Sequence, residues 1–415
     1  MSGSPELLAR YRRVRERSLR LCAPLSAEDA QIQSMADASP AKWHLAHTTW
    51  FFETFVLAPL GHPAFDPHFD FLFNSYYEAV GERVDRARRG LVTRPGLDIV
   101  HAYRSEIDAR TAHALVEGRL SAEQLDIVVL GIAHEEQHQE LLLTDIKHAL
   151  GAQPLRPIYR AGIAPATRAT VAPTGWIELG GGLVVIGAPG GGFAFDCERP
   201  RHRVWLEPFR LATRPVCNAE VLAFIDDGGY REPRHWLSEG WTTVQHEHWD
   251  APLYWEKRGD AWFQYTLGGL REVDPAETAC HLSYYEADAI ARWAGARLPT
   301  EAEWEHAAGD LAPEGHFADD ERLHPTAATG VGLRQLFGDV WEWTETAFAP
   351  YPGFQPLPGP LGEYNGKFMA GQLVLRGGSC LTPRGHMRAS YRNYFPPTAR
   401  WQMTGVRLAA DGGNP

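Results

Sequence analysis

The chain has 415 residues, 44% apolar and 22% charged, so it is long enough for two or three domains of ~100–200 residues with sizeable cores. Its formal net charge of −12 argues against a nucleic-acid surface, where basic clusters would be expected, and no apolar run approaches the ~18 residues of a membrane span. Five cysteines, at 22, 197, 217, 280 and 380, include no CxxC pair, which predicts reduced thiols in a cytoplasmic protein with neither a disulfide framework nor a zinc ribbon.

The first segment, MSGSPELLARYRRVRERSLR, alternates charged and apolar residues and lacks the hydrophobic region of a signal peptide. Ser39-Pro40 predicts an N-cap followed by proline at the first helical position, and the apolar pattern then runs to about Leu57, before Pro59. Asp98 opens another helical stretch. Ser121 and Gln124 form a capping-box pattern, and the long helix behind it is expected to end at Gly151. With the N-terminal segment this makes four helices over residues 1–151, enough for a bundle that can hold ligands inside. Residues 152–174, rich in Pro, Ala and Thr with no regular apolar period, predict a linker. From Gly175 to about residue 411 glycine and tryptophan become frequent, β-like runs appear (LVVIGA, HRVWLEPFRLA, LVLRGGS), and helices are expected mainly at 283–294 and 300–308. This half predicts a loop-rich α+β domain, with no internal repeat.

The sharpest local feature is His134-Glu-Glu-Gln-His138 inside the long helix. Positions i and i+4 share one helix face with Cβ atoms only ~6 Å apart, so both imidazoles can reach one ion. Gln137 and Leu141 lie on the same face. A second cluster, Trp43-His44-Leu-Ala-His47, sits in the helix after Ser39, and either histidine could supply a third ligand. His148, beside Lys147 at the helix end, reads as structural. The same letters satisfy HExxH, the zinc-hydrolase motif in which Glu135 would be the general base. However, no glutamate occurs between Glu140 and Glu178 to act as the further ligand, and Leu141 stands where one zinc-protease pattern requires glycine. Three neutral histidines leave half an octahedron open, which suits a redox iron.

His134-x3-His138-x-Glu140, with WHLAHTTWFFE earlier, resembles the DinB-like helical bundle of the ergothioneine sulfoxide synthases (EgtB). ARLPTEAEWEHAA, FGDVWEWTE, LRGGSC and GVRLA resemble the formylglycine-generating-enzyme (sulfatase-modifying factor) fold, which is related to C-type lectins. The resemblance covers nearly the whole chain and implies a multidomain α and α+β protein: a DinB-like four-helix bundle, then a C-type-lectin-like domain closing the active site. It implies Fe(2+) held by His47, His134 and His138, with Gln137 hydrogen-bonded to the substrate imidazole. Tyr76 and Tyr77 match a tyrosine pair that supplies a proton or an electron. Arg86 and Arg89 match arginines that hold a thiol substrate's carboxylate by a bidentate fork. Asn393, Tyr394 and Phe395 match a C-terminal loop that closes on a trimethylammonium group, which aromatic rings attract. One departure is Cys380: no second cysteine follows it, so the copper-thiolate chemistry of the formylglycine-generating enzymes is not expected.

The function implied is O2-dependent C–S bond formation between hercynine and cysteine or γ-glutamylcysteine, with no nucleic-acid or membrane partner. The alternatives are an ovothiol- or selenoneine-type synthase, an HExxH zinc hydrolase, and a non-catalytic DinB-type binding module.

Overall fold

A computed structural model describes residues 4–163 and 169–412. The chain divides into two compact units: the first runs to Tyr159 and takes in Leu357–Tyr364, and the second comprises Arg160–Pro356 and the rest.

The first unit contains α1 (Ser4–Cys22), α2 (Ala27–Gln31), α3 (Ala41–Phe52), α4 (Phe69–Phe73), α5 (Leu97–Val116) and α6 (Ala122–Ala152). The long elements α1, α3, α5 and α6 pack on one another as a four-helix bundle. Every residue of α3 is buried, as expected of a helix with no strongly charged face, AKWHLAHTTWFF, which must sit at the centre of its bundle. α6 starts at the expected capping box: the Ser121 hydroxyl accepts from the Gln124 amide, and Gln124 returns a bond to the Ser121 N–H.

The expected cap of α3 is corrected by one residue. Pro40, not Ser39, is the N-cap, with no side-chain cap bond. The Ser39 hydroxyl instead accepts from Arg89 at 2.9 Å and its N–H donates to Asp145 at 2.8 Å. Tertiary partners have thus claimed the groups a local cap would use. Beyond Phe52 the helix widens into a π turn, Glu53–Leu57.

Gly131 sets the distance between α3 and α6. A Cβ there would lie 2.7 Å from the Phe52 ring and 2.8 Å from that of Phe51. Glycine in a helix interior costs about 0.5–1 kcal/mol relative to alanine. Here it lets two helices approach within one turn of His134.

The second unit contains α7 (Asn218–Asp226), α8 (Ser238–Glu247), α9 (Tyr284–Trp293) and α10 (Glu301–Ala308), with several small sheets. α7 and α8 were not foreseen. α9 and α10 lie where the sequence predicts them, each behind a capping box, at Ser283 and Thr300. The largest sheet orders the strands Asn393–Phe395, Leu373–Arg376, Trp341–Ala347 and Thr404–Gly405. The motif residues of this half build its interior. Trp304, Trp341 and Trp343 are fully buried, and Glu342 pairs with Arg407 while accepting the indole N–H of Trp304. Glu301 accepts from Arg376 at 2.8 Å and from Arg392 at 2.9 Å. All five cysteines are buried, and none forms a disulfide. Among the described residues no helix is long and apolar enough to cross a membrane.

Candidate metal centre

His44 and His47 occupy successive turns of α3, and His134 and His138 occupy successive turns of α6. The close packing at Gly131 brings the two pairs together. One nitrogen from each of His47, His134 and His138 lies within 4.8 Å of the other two, and the Nε2 atoms of His47 and His134 are 3.2 Å apart. Metal–imidazole bonds of about 2.0–2.1 Å at right angles would place neighbouring nitrogens about 3 Å apart, so this donor set fits a single ion.

The imidazoles are set up to be neutral. Burial, together with neighbouring imidazoles and the Arg89 charge, holds His47 and His138 well below the usual histidine range. Burial brings His134 down to about 3. A neutral ring offers a lone pair, which is the form a metal binds. His47 donates through Nδ1 to the Phe73 carbonyl at 2.6 Å, which turns its Nε2 toward the other two. His44 is not part of this set: its Nδ1 lies 2.8 Å from His138 Nδ1 and its Nε2 lies 3.1 Å from Asp145.

Glu135 faces the other way. Its carboxylate accepts from Arg15 at 2.8 Å, from Ser18 at 2.5 Å and from Arg104. Burial alone would push it up, but Arg104 and Arg15 outweigh burial and hold it at about 2. A carboxylate locked between two guanidiniums on the α1 and α5 side of the helix cannot serve as the base of a zinc hydrolase.

The other expected site residues of this unit gather unevenly. Gln137 lies on the same face as His134 and His138. Tyr76 and Tyr77 are in mutual ring contact at 4.7 Å. Tyr77 is fully buried against Trp50 at 5.7 Å and Phe55 at 5.2 Å. Arg89 is buried, stacked over Trp43 at 3.5 Å and hydrogen-bonded to Ser39 and Ser75 at 2.9 Å each. Among the described residues no carboxylate pairs with it. Burial, followed by the nearby Arg86 charge, lowers its pKa strongly. Arg86 itself stands exposed at the start of the same short 3-10 turn.

Tyr364 was not anticipated. It belongs to the segment Leu357–Tyr364 of this unit, and its hydroxyl donates to Oε1 of Gln137, 227 positions away in sequence. Its ring lies 5.6 Å from His134 and 6.1 Å from Tyr76. Glu363 anchors the segment by accepting the N–H groups of Glu78 and Ala79 at 3.1 and 2.9 Å. No local pattern marks GPLGEYNGKF as part of a site, because the contact is made only by the fold.

In the second unit Asn393, Tyr394 and Phe395 form an edge β-strand rather than the expected loop, paired with Leu375, Val374 and Leu373. Side chains alternate along a strand, so Tyr394 points away from the face shared by Asn393 and Phe395. Tyr394 stacks on Phe348 at 3.9 Å and donates to Asn365 at 3.1 Å, whereas Phe395 meets Trp401 edge-on at 5.9 Å.

Comparison with known proteins agrees with this division. Residues 10–142 match the DinB superfamily, and residues 163–330 and 312–412 match the sulfatase-modifying factor enzyme 1-like domain. The chain is 34% identical to the hercynine oxygenase of Mycolicibacterium smegmatis, over 96% of each chain. It is 33% identical to that of Mycobacterium tuberculosis, over 98% of this chain and 99% of the relative. The formylglycine-generating enzyme of Streptomyces coelicolor is 32% identical over 60% of this chain and 90% of its own length.

Proposed function

The chain belongs to the hercynine oxygenase family, the DinB-plus-sulfatase-modifying-factor enzymes of ergothioneine biosynthesis, and on that premise we propose that it is an iron(II)-dependent sulfoxide synthase joining hercynine to cysteine or γ-glutamylcysteine. The overall change balances: the imidazole C–H and the thiol S–H are replaced by a C–S bond, one oxygen atom of O2 enters the sulfoxide, and the other leaves with both hydrogens as water. The observation that carries the reading is the buried trio His47, His134 and His138, with neutral nitrogens converging at one point.

When bound, iron(II) supplies the one-electron chemistry that O2 requires and holds the thiolate, the nucleophilic form of sulfur, beside the imidazole. The protein's residues do the rest. The three histidines bind the ion and leave positions open for substrates. Gln137, oriented by the Tyr364 hydroxyl at its Oε1, presents an amide N–H to a substrate imidazole nitrogen. Arg89, a buried cation that makes no ion pair among the described residues, supplies the charge that a thiol substrate's carboxylate would neutralise. Tyr364, whose ring lies 5.6 Å from His134 and 6.1 Å from Tyr76, places a phenol O–H near the histidine trio, where a proton is needed as O2 is reduced. In the second unit, Asn393 and Phe395 share one face of the edge strand. Five buried thiols accord with the reducing cytoplasm.

The decisive experiment reconstitutes the full chain with Fe(II) anaerobically, admits air, and follows hercynine with each thiol by mass spectrometry. A product heavier than the sum of the substrates by one oxygen and lighter by two hydrogens is expected. Thiol oxidation alone, or turnover supported by zinc, would overturn the proposal.

A further inference from the structure

We infer that His44 and Asp145 form a carboxylate–imidazole relay behind His138, fixing which nitrogen of that ligand meets the metal and strengthening it as a donor. The inference rests on the metal reading above but concerns two residues that touch no metal in it.

With His138 on a metal, the chain of hydrogen bonds has one direction. His138 Nδ1 lies 2.8 Å from His44 Nδ1, so the nitrogen that His138 offers to a metal beside His47 and His134 is Nε2, and its Nδ1 carries the ring's hydrogen. His44 Nδ1 accepts that hydrogen. At the far end the Asp145 carboxylate accepts: its Oδ2 takes the Ser39 N–H at 2.8 Å and lies 3.1 Å from His44 Nε2, so Nε2 carries hydrogen. The direction of each bond follows from the metal at one end and the carboxylate at the other.

The three ligands are thereby backed in three different ways. His47 Nδ1 donates to a backbone carbonyl, that of Phe73, at 2.6 Å. His138 donates to the His44–Asp145 pair. His134 Nδ1 is buried and has no hydrogen-bond partner among the described residues. Partners of ligand imidazoles orient the ring and raise its basicity, and losing one typically costs 10–100-fold in metal affinity. The relay spans two helices: His44 is on α3, while Asp145 lies two turns beyond His138 on α6. A purely structural histidine could be satisfied by one partner, whereas here both ring nitrogens are spent in a line that ends on a ligand.

The test uses the full chain as apoprotein, with Co(II) and then anaerobic Fe(II) as probes in chelator competition. His44→Phe should weaken both metals by about 10–100-fold. Asp145→Asn keeps an oxygen acceptor and removes the charge, so it should weaken them less. Its Co(II) ligand-field bands should also shift from those of wild type. In 15N-histidine-labelled, Zn(II)-loaded protein, His138 should be metal-bound through Nε2 and protonated on Nδ1. Affinities within twofold of wild type in both variants, or metal on His138 Nδ1, would overturn the relay. Where His44→Phe fails to fold, Asp145→Asn and the nitrogen spectrum decide. The metal reading fails separately: it falls if His138→Ala binds metal as wild type does.

Discussion

The imidazole of His47 lies face to face with the indole of Trp43, ring centroids 4.5 Å apart and planes 13° from parallel. The same indole carries the Arg89 guanidinium at 3.5 Å. A proposed metal ligand and a buried cation, for which the described residues supply no ion pair, are thus fixed to one aromatic plate. Their spacing is set by packing on α3 and not by the flexible arginine stem.

That arrangement predicts a trade between stability and binding at Arg89. A buried charge without an ionic partner is costly, and an apolar residue of similar volume often leaves stability unchanged or raised. Arg89→Met should therefore unfold at the same temperature as wild type or higher. It should also lose about 2–5 kcal/mol of binding to the thiol substrate's carboxylate. Thermal melts and the KM for each thiol, measured with hercynine saturating, check both halves. A lowered melting temperature with an unchanged thiol KM would assign Arg89 to the fold alone.

The histidine trio predicts one Fe(II) per chain. His47→Ala, His134→Ala and His138→Ala should each weaken the metal by more than the 10–100-fold that loss of an outer partner costs. Iron at about 100 times its Kd should raise wild-type stability by about 2.7 kcal/mol. Anaerobic titration and melting with and without iron test this; full affinity in His47→Ala would remove it from the ligand set.

Glu135 predicts acid sensitivity of the first unit. Its folded pKa of about 2 lies below the ordinary 4.5, so its contribution is complete above pH 4.5 and is lost as pH falls toward 2. Glu135→Gln leaves Arg15 and Arg104 without their shared carboxylate and should cost about 3–5 kcal/mol near neutrality. The difference between variant and wild type should shrink below pH 4.5. Denaturant unfolding across that range provides the measurement. A stable, inactive Glu135→Gln protein would instead revive a role as general base.

The tyrosines separate by position. Tyr364→Phe removes the hydroxyl bonded to Gln137 and should lower kcat for sulfoxide by tenfold or more while iron affinity stays at wild type. An interaction made chiefly in the transition state affects kcat rather than binding. Tyr77→Phe, altering a fully buried ring, should have the smaller effect, with Tyr76→Phe between them. Product ratios by mass spectrometry, sulfoxide against oxidised thiol, rank the three. Equal losses would restore Tyr76 and Tyr77 as the working pair.

Gly131→Ala should act at a distance from the chemistry. The added methyl meets the Phe52 and Phe51 rings at 2.7–2.8 Å, and overpacking of this kind costs about 1–3 kcal/mol. Because α3 and α6 must part to admit it, iron affinity should fall together with stability. Unchanged affinity in a destabilised protein would mean that the rings yield and the helices stay.

Much of this protein is written in local sequence. The i, i+4 spacing of His134 and His138 and the three-residue spacing of His44 and His47 follow from helix geometry, and the capping boxes at Ser121, Ser283 and Thr300 need only neighbours in the chain. The two-unit division is visible because a helical apolar period gives way to glycine-rich β-like runs. Tertiary structure decided what depends on distant partners. His44 and His47 are equivalent on paper, and only the positions of Asp145 and Phe73 turn one into a backing residue and the other toward the site. Ser39 looks like a cap until Arg89 and Asp145 claim it. Glu135 completes HExxH in sequence, yet one helical step of about 100° turns it away from His134 and into Arg15 and Arg104. Tyr364 carries no local signature, since its place beside Gln137 exists only once residues far apart in the chain are folded together. Helix periodicity determines which side chains share a face; which face meets the candidate metal site is decided by packing among helices.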